Sequence, residues 1–126
     1  MTGRRITLTV PLPPSVNKLY SRGGPNGVYK QAKPRRWITE AGWEVRRQLG
    51  PIVGVLFDAD VAVDVQLPGT MRGDLDNRLK ALLDLFTAMC VWRDDDQVAD
   101  IRVRRLHGVT GCVVVITALD FSELSK

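Results

Sequence analysis

One histidine, His107, and two cysteines, Cys90 and Cys112, are the only imidazole and thiols in this chain of 126 residues. The cysteines are 22 positions apart with no second Cys or His at zinc spacing, so a structural zinc site is excluded. The single imidazole is placed in a predicted turn, so no Ser-His-Asp or Cys-His arrangement competes. The two thiols end apolar segments and are expected to be buried and reduced, which favours a cytoplasmic setting. Aromatic residues make up only 6% of the chain, so aliphatic side chains must supply most of the core. Long apolar runs are missing too. The longest, Cys112–Ile116 and a little beyond, falls far short of the roughly 20 residues that span a bilayer. Arg4-Arg5 before Ile6 resembles the start of a signal peptide, but the stretch that follows alternates with Thr and stops at Pro11. A soluble protein without membrane contact is expected.

What is present is charge, unevenly placed. The length suits one domain, residues 1–126, with a real hydrophobic core. The formal net charge is +4. Residues 1–57 carry ten basic and two acidic side chains, whereas residues 58–100 carry four basic and ten acidic ones. A basic first half beside an acidic centre fits a clamp for a polyanion around a metal site, although the two halves can also pair within the fold.

Periodicity gives the elements. Arg5–Val10 alternates, with Ile6, Leu8 and Val10 on one face, and predicts a strand ended by Pro11-Leu12-Pro13-Pro14. A long loop is expected to about Lys33, turning at Gly23-Gly24-Pro25-Asn26-Gly27. Pro34 opens a helix whose Trp37, Ile38, Ala41, Val45 and Leu49 form the buried stripe, and Gly50-Pro51 stops it. From Phe57 to Leu67 the period is two, with Phe57, Ala59, Val61, Val63, Val65 and Leu67 facing inward. A second helix follows Asp76, its expected N-cap, and buries Leu79, Leu82, Leu83, Phe86 and Cys90. Gln97–Arg105, with Ala99, Ile101 and Val103 facing inward, and Cys112–Ala118 read as strands, joined by a turn from Gly108 to Gly111. The order is β-α-β-α-β-β. This predicts an α+β fold: a small mixed or antiparallel sheet with two helices packed on it.

Five aspartates form two tight clusters around the second helix: Asp74 and Asp76 before it, Asp94, Asp95 and Asp96 after it. Clustered carboxylates repel one another unless a cation lies between them, and oxygen ligands suit Mg²⁺, with Mn²⁺ as a substitute. Residues two apart in extended or turn geometry point to the same side, so Asp74 and Asp76 can face one ion. Asp76, Lys80 and Asp84 then recur every four residues, opposite the leucine stripe. A metal with a nearby lysine is the equipment of phosphodiester hydrolysis, in which the transition state gains negative charge. Bland roles compete: an N-cap for Asp76, worth ~1 kcal/mol, and a surface pair for Lys80 and Asp84, worth ~0.3–0.5 kcal/mol. They leave Asp74 and the later triple unexplained. Asp58, Asp60 and Asp64 are expected to pair with Arg102 and Arg104 across strands. A calcium EF-hand is excluded, because Arg78 and Leu79 occupy positions that need a ligand and a Gly.

Asp74-Leu75-Asp76-Asn77 with Lys80, then Trp92-x-Asp94-Asp95-x-Gln97-Val98, resembles the RusA family of Holliday-junction resolvases. Leu12-Pro13-Pro14-Ser15-Val16-Asn17-Lys18-x-Tyr20 is similar to that family's opening segment, so the resemblance covers almost the whole chain in order. It implies a homodimeric, Mg²⁺-dependent endonuclease placing paired nicks across a four-way DNA junction, encoded by a bacterium or phage. By motif position it implies Asp74, Asp76 and Asp95 as catalytic, metal-binding carboxylates, Asp94 as the acidic neighbour at the metal, and Lys80 as the catalytic lysine. This chain departs from the pattern in its third consecutive aspartate, Asp96, and in the single Arg72 before Gly73.

The expected DNA-contacting set is Asn17, Lys18, Tyr20, Arg22, Lys30, Lys33, Arg35 and Arg36, with Arg46 and Arg47 on the same helix. Such contacts to phosphate give affinity and salt dependence rather than sequence reading, and Tyr20 and Tyr29 can stack on unpaired bases. Trp37, Trp43 and the last strand are candidates for a dimer interface or plain core. The alternative, a non-catalytic branched-DNA binding module, calls for a broken carboxylate set or a lost lysine, and both are intact. A small-nucleotide phosphohydrolase would call for a phosphate loop, and Gly23–Gly27 lacks its Lys-Ser/Thr ending, so no small-molecule cofactor is expected.

Overall fold

The computed structural model describes residues 4–14, 20–22, 28–30, 32–71 and 75–119, with only the backbone described at 20–22, 28–30, 32–34, 76 and 77. Strands β1 (Arg5–Val10), β4 (Val61–Pro68), β5 (Val98–Leu106) and β6 (Cys112–Ala118) form one sheet in the order β1-β6-β4-β5. β6 pairs antiparallel with β1 and β4, whereas β4 and β5 run parallel. The parallel pair requires a crossover, and helix α2 (Leu75–Ala88) supplies it. Helix α1 (Ala32–Leu49) packs beside β1. The architecture is therefore α+β with a mixed sheet.

Alternation sets which sheet face is buried. Leu8 and Val10 from β1, Val61, Val63, Val65 and Leu67 from β4, and Cys112, Val114 and Ile116 from β6 share the core with Trp37, Ala41 and Val45 of α1 and Leu82, Leu85 and Phe86 of α2. Each large aliphatic side chain removed from water contributes about 1.5–3 kcal/mol, which is why the period-two segment occupies the sheet's centre. The opposite face carries Arg5, Thr7 and Thr9, then Val113, Val115 and Thr117, then Ala62, Asp64 and Gln66, and its edge carries Asp100, Arg102 and Arg104. Gln48 of α1 closes the free edge of β1: it accepts from the Thr9 N–H at 2.9 Å and donates to the Thr9 carbonyl at 2.6 Å.

Several expectations change. The long loop contains a hairpin, β2 (Tyr20–Arg22) with β3 (Val28–Lys30), whose strands of three residues are too short to show a period. The central strand starts at Val61 rather than Phe57, and Ala59 is exposed. The carbonyls of Phe57 and Ala59 bond to the Gln97 side chain instead of a neighbouring strand, while Phe57 keeps an isolated bridge to Trp92. On the edge strand β5, Ala99 is exposed and Ile101 is 39% exposed, because α2 covers this edge only in part. Ile38, placed in the stripe of α1 by spacing, is 43% exposed. The α2 helix begins at Leu75, so Asp76 lies inside its first turn rather than capping it. Cys112 is buried as expected, but Cys90 is exposed.

Candidate metal centre and nucleic-acid face

The second aspartate cluster owes its position to the way α2 ends. Cys90 adopts φ +63°, the left-handed conformation usually left to glycine. The Val91 N–H donates to the Phe86 carbonyl at 3.0 Å and the Cys90 N–H to the Thr87 carbonyl at 3.2 Å. This is a Schellman cap, and it turns the chain back along the helix it has just left. Trp92 lands on that helix fully buried, edge-on to Phe86 with ring centres 5.7 Å apart. Its indole N–H donates to Thr87 Oγ1 at 2.8 Å.

Asp94–Gln97 follows as a tight turn of 3-10 helix that starts from Asp94 as N-cap. The Asp96 N–H donates to the Asp94 carboxylate at 3.1 Å, and Gln97 Oε1 accepts from the N–H groups of Arg93 at 2.8 Å and Asp94 at 3.2 Å. The other end of the Gln97 amide donates to the carbonyls of Phe57 and Ala59 at 3.0 and 2.9 Å. One side chain therefore fastens the acidic turn to the segment leading into β4. Sequence reading quoted Gln97 as part of a motif and gave it no task. Its spacing of three from Asp94 was the available signal, since that is the spacing of a capping box.

Carboxylate oxygens of Asp94, Asp95 and Asp96 lie within 4.8 Å of one another, and all three residues are exposed. Their acidities diverge. Asp94 is held below the usual carboxylate range, first by the N–H of Asp96 and then by the hydrogen bond it shares with the Asp95 carboxyl. Asp95 is pushed up, first by donating to Asp94, then by desolvation and by the negative charges of Asp94, Asp96 and Asp84. Carboxylates crowded in this way are a set whose repulsion a cation between them would relieve. The donors are all oxygen, the set taken by hard divalent ions.

Asp84 brings α2 into the same region, and Lys80 Nζ lies 4.0 Å from its Oδ2. Both side chains are more than three-fifths exposed, so this pair has little structural value. The backbone of Asp76 falls one turn before Lys80, while Asp74 and the side chain of Asp76 lie outside the described residues. The start of α2 is tied to the N-terminal segment by Arg78, whose Nη1 donates to the Pro13 carbonyl at 2.5 Å. Trp37 Nε1 donates to the Pro11 carbonyl at 2.8 Å. The Leu12-Pro13-Pro14 segment is thereby held between the two helices.

Among the expected DNA contacts, Arg35 and Arg36 are exposed on α1, and so are Arg46 and Arg47. Arg47 is held by Glu44 at 2.6 Å. Tyr20, Arg22 and Lys30 are placed in the β2–β3 hairpin and Lys33 in the first turn of α1, by backbone alone. Asn17 and Lys18 lie outside the described residues. Of the acidic strand residues, Asp64 does meet Arg104, at 2.8 Å, but Asp58 pairs with Arg93 at 3.0 Å.

Residues 11–117 match the family described as Endodeoxyribonuclease RusA. The chain is 28% identical over 124 residues to the crossover junction endodeoxyribonuclease RusA of Escherichia coli K12, covering 93% of this chain and 96% of the relative. It is 29% identical over 123 residues to the enzyme of that name from Enterobacteria phage 82, covering 92% of this chain and 95% of the relative. The Shigella sonnei protein of that name is 29% identical over 124 residues, covering 93% and 96%. With the matched span running from the Pro11 segment through the Asp94–Gln97 turn to β6, this chain belongs to the RusA endodeoxyribonuclease family.

Proposed function

We propose that the chain is a Mg²⁺-dependent, structure-selective DNA endonuclease that resolves four-way (Holliday) junctions by paired symmetric nicks, in recombination and repair. The observation that carries this reading is the Asp94–Asp96 turn, fastened beside the Lys80–Asp84 face of α2 in a chain of an endodeoxyribonuclease family. Relatives named for crossover junctions match it along nearly their whole length, and one is encoded by a phage. A bacterial or phage protein working on cytoplasmic DNA fits those sources.

Asp74, Asp76, Asp94 and Asp95 are the residues that would hold Mg²⁺, or Mn²⁺ in its place. Bound there, the ion supplies a water of lowered pKa and counter-charge for the phosphoryl oxygens. The chain's own residues do the rest. Asp94 and Asp95 would offer their carboxylates to the ion, and Gln97 holds the turn in place. Lys80 presents a fixed positive charge where the scissile phosphate becomes more negative. Lys18, Arg22, Lys30, Lys33, Arg35 and Arg36 hold the strands through phosphate contacts, without reading sequence, with Asn17 beside them and Tyr20 stacking on an unpaired base. A junction has two-fold related arms, so a homodimer with two sites about a dyad would cut a symmetric pair of strands.

The test is a labelled synthetic junction beside a matched linear duplex, with Mg²⁺ or with chelator, for wild type and Asp76→Asn. Nicking of the junction alone, lost with chelator and in Asp76→Asn while binding persists, is the expected result. Tight junction binding without cleavage under any metal would make the protein a non-catalytic branched-DNA binding module.

A further inference from the structure

Trp43 is 69% exposed on α1, while Trp37, on the same helix, is 6% exposed. Ile38, Thr39, Gly42, Arg46 and Met89 surround it around an open hollow of about 300 Å³. Gly42 leaves the floor bare; its nearest neighbour is the Met89 sulfur, 3.5 Å from where a Cβ would stand. An indole kept in water beside a hollow floored by glycine and methionine offers a flat apolar surface and does nothing for the core.

Charge decides what covers it. At about 100° per residue, Arg35, Arg36, Thr39, Trp43 and Arg46 fall along one strip of α1. Glu40 and Glu44 fall to one side of it, and Glu44 is already taken by Arg47 at 2.6 Å and Gln48 at 3.2 Å. The strip is thus predominantly basic and aromatic, with Glu40 at its border. A second copy laid antiparallel with Trp43 on Trp43 would set Arg46 against Glu40 but leave Arg35 and Arg36 unmatched. A polyanion would match all three arginines. The strip runs about 16 Å at 1.5 Å per residue, long enough to lie along a short stretch of strand backbone.

We propose that this strip binds an unpaired stretch of DNA strand, with Trp43 stacking on one base over the Gly42–Met89 hollow and Arg35, Arg36 and Arg46 facing phosphates. The inference rests on the branched-DNA reading, because a junction exposes unstacked bases at its crossover whereas a plain duplex does not. Stacking of this kind tolerates any base, since every base has a π-face.

The test is equilibrium binding with EDTA present, so that nothing is cut, for wild type, Trp43→Ala and Trp43→Phe. Three probes of equal length are used: a four-way junction, a single-stranded oligonucleotide and a linear duplex. Trp43→Ala should weaken junction and single-strand binding by about tenfold, within the range for loss of one stacked base, with little change on duplex. Trp43→Phe should recover most of the loss. Equal binding of all three probes by wild type and Trp43→Ala would overturn the proposal. So would a uniform loss on all three accompanied by a lower mass in sedimentation, which would give this surface to a second copy. Junction cleavage by wild type is scored separately, so failure of the resolvase reading leaves the binding comparison able to decide the role of Trp43.

Discussion

Asp94 and Gln97 cap one another. The Asp94 carboxylate takes backbone N–H groups of the turn, and Gln97 Oε1 takes the Asp94 N–H at 3.2 Å. The Gln97 Nε2 bonds to Phe57 and Ala59 at 3.0 and 2.9 Å then fix this unit against the entry to β4. An exposed cluster of three like charges would otherwise spread apart.

Gln97→Ala removes four side-chain bonds: those from the N–H groups of Arg93 and Asp94 and those to the carbonyls of Phe57 and Ala59. At about 0.5–1.5 kcal/mol net per bond, and with the losses partly shared, the variant should lose roughly 2 kcal/mol. Urea unfolding checks this. Junction cleavage should fall much further than the folded fraction does, since the turn loses its anchor.

Asp95 is a case where function and stability oppose each other. Its carboxyl is raised in the folded protein, so it lowers stability once pH rises through the unfolded carboxylate range and toward its folded value. Below that range it is protonated in both states and the penalty vanishes. Asp95→Asn should therefore melt higher than wild type at neutral pH without metal, with the gap closing in acid. Mg²⁺ should raise the melting temperature of wild type and leave Asp95→Asn nearly unchanged. Differential scanning fluorimetry across pH, with and without Mg²⁺, checks both.

Cys90 holds φ +63°, a conformation that costs a side-chain-bearing residue about 1 kcal/mol or more. Cys90→Gly should stabilise the fold by about 1 kcal/mol if only that strain is relieved. The same exposure makes Cys90 the thiol that reacts in the native protein. Burial pushes the Cys112 thiol up to about 12, which keeps it protonated. Native labelling with a thiol reagent should modify one cysteine per chain, and none in Cys90→Gly.

Gly42 lies inside α1, where glycine costs about 0.5–1 kcal/mol relative to alanine. Its added Cβ would meet Met89 Sδ at 3.5 Å, an ordinary contact. Gly42→Ala should raise stability by up to that amount, as read from chemical denaturation.

Much of this was legible in the chain. The alternation of Val61, Val63, Val65 and Leu67 specified the central strand, and Leu79, Leu82 and Phe86 specified the inner face of α2, because burial imposes those periods. The acidic triple was visible as a motif. Its placement was not, since that depends on a left-handed Cys90, which no propensity favours, and on Gln97 reaching 40 and 38 positions back. Trp43 stands six residues from Trp37, about 120° round the helix, which places it outside the buried stripe but says nothing of what covers it. The partners of Asp58 and Asp64 followed local approach rather than strand order: Asp64 meets Arg104, although Arg102 stands opposite it in the register.

The most direct measurement uses a supercoiled plasmid that extrudes a cruciform, incubated with wild-type protein and Mg²⁺. Two nicks made within one bound complex release linear DNA. A single nick relaxes the plasmid, the cruciform is reabsorbed, and only nicked circles remain. The account predicts linear product with incisions mapping symmetrically about the crossover, and none with chelator or in Asp95→Asn. Nicked circles alone, or incisions unrelated to the cruciform, would contradict it.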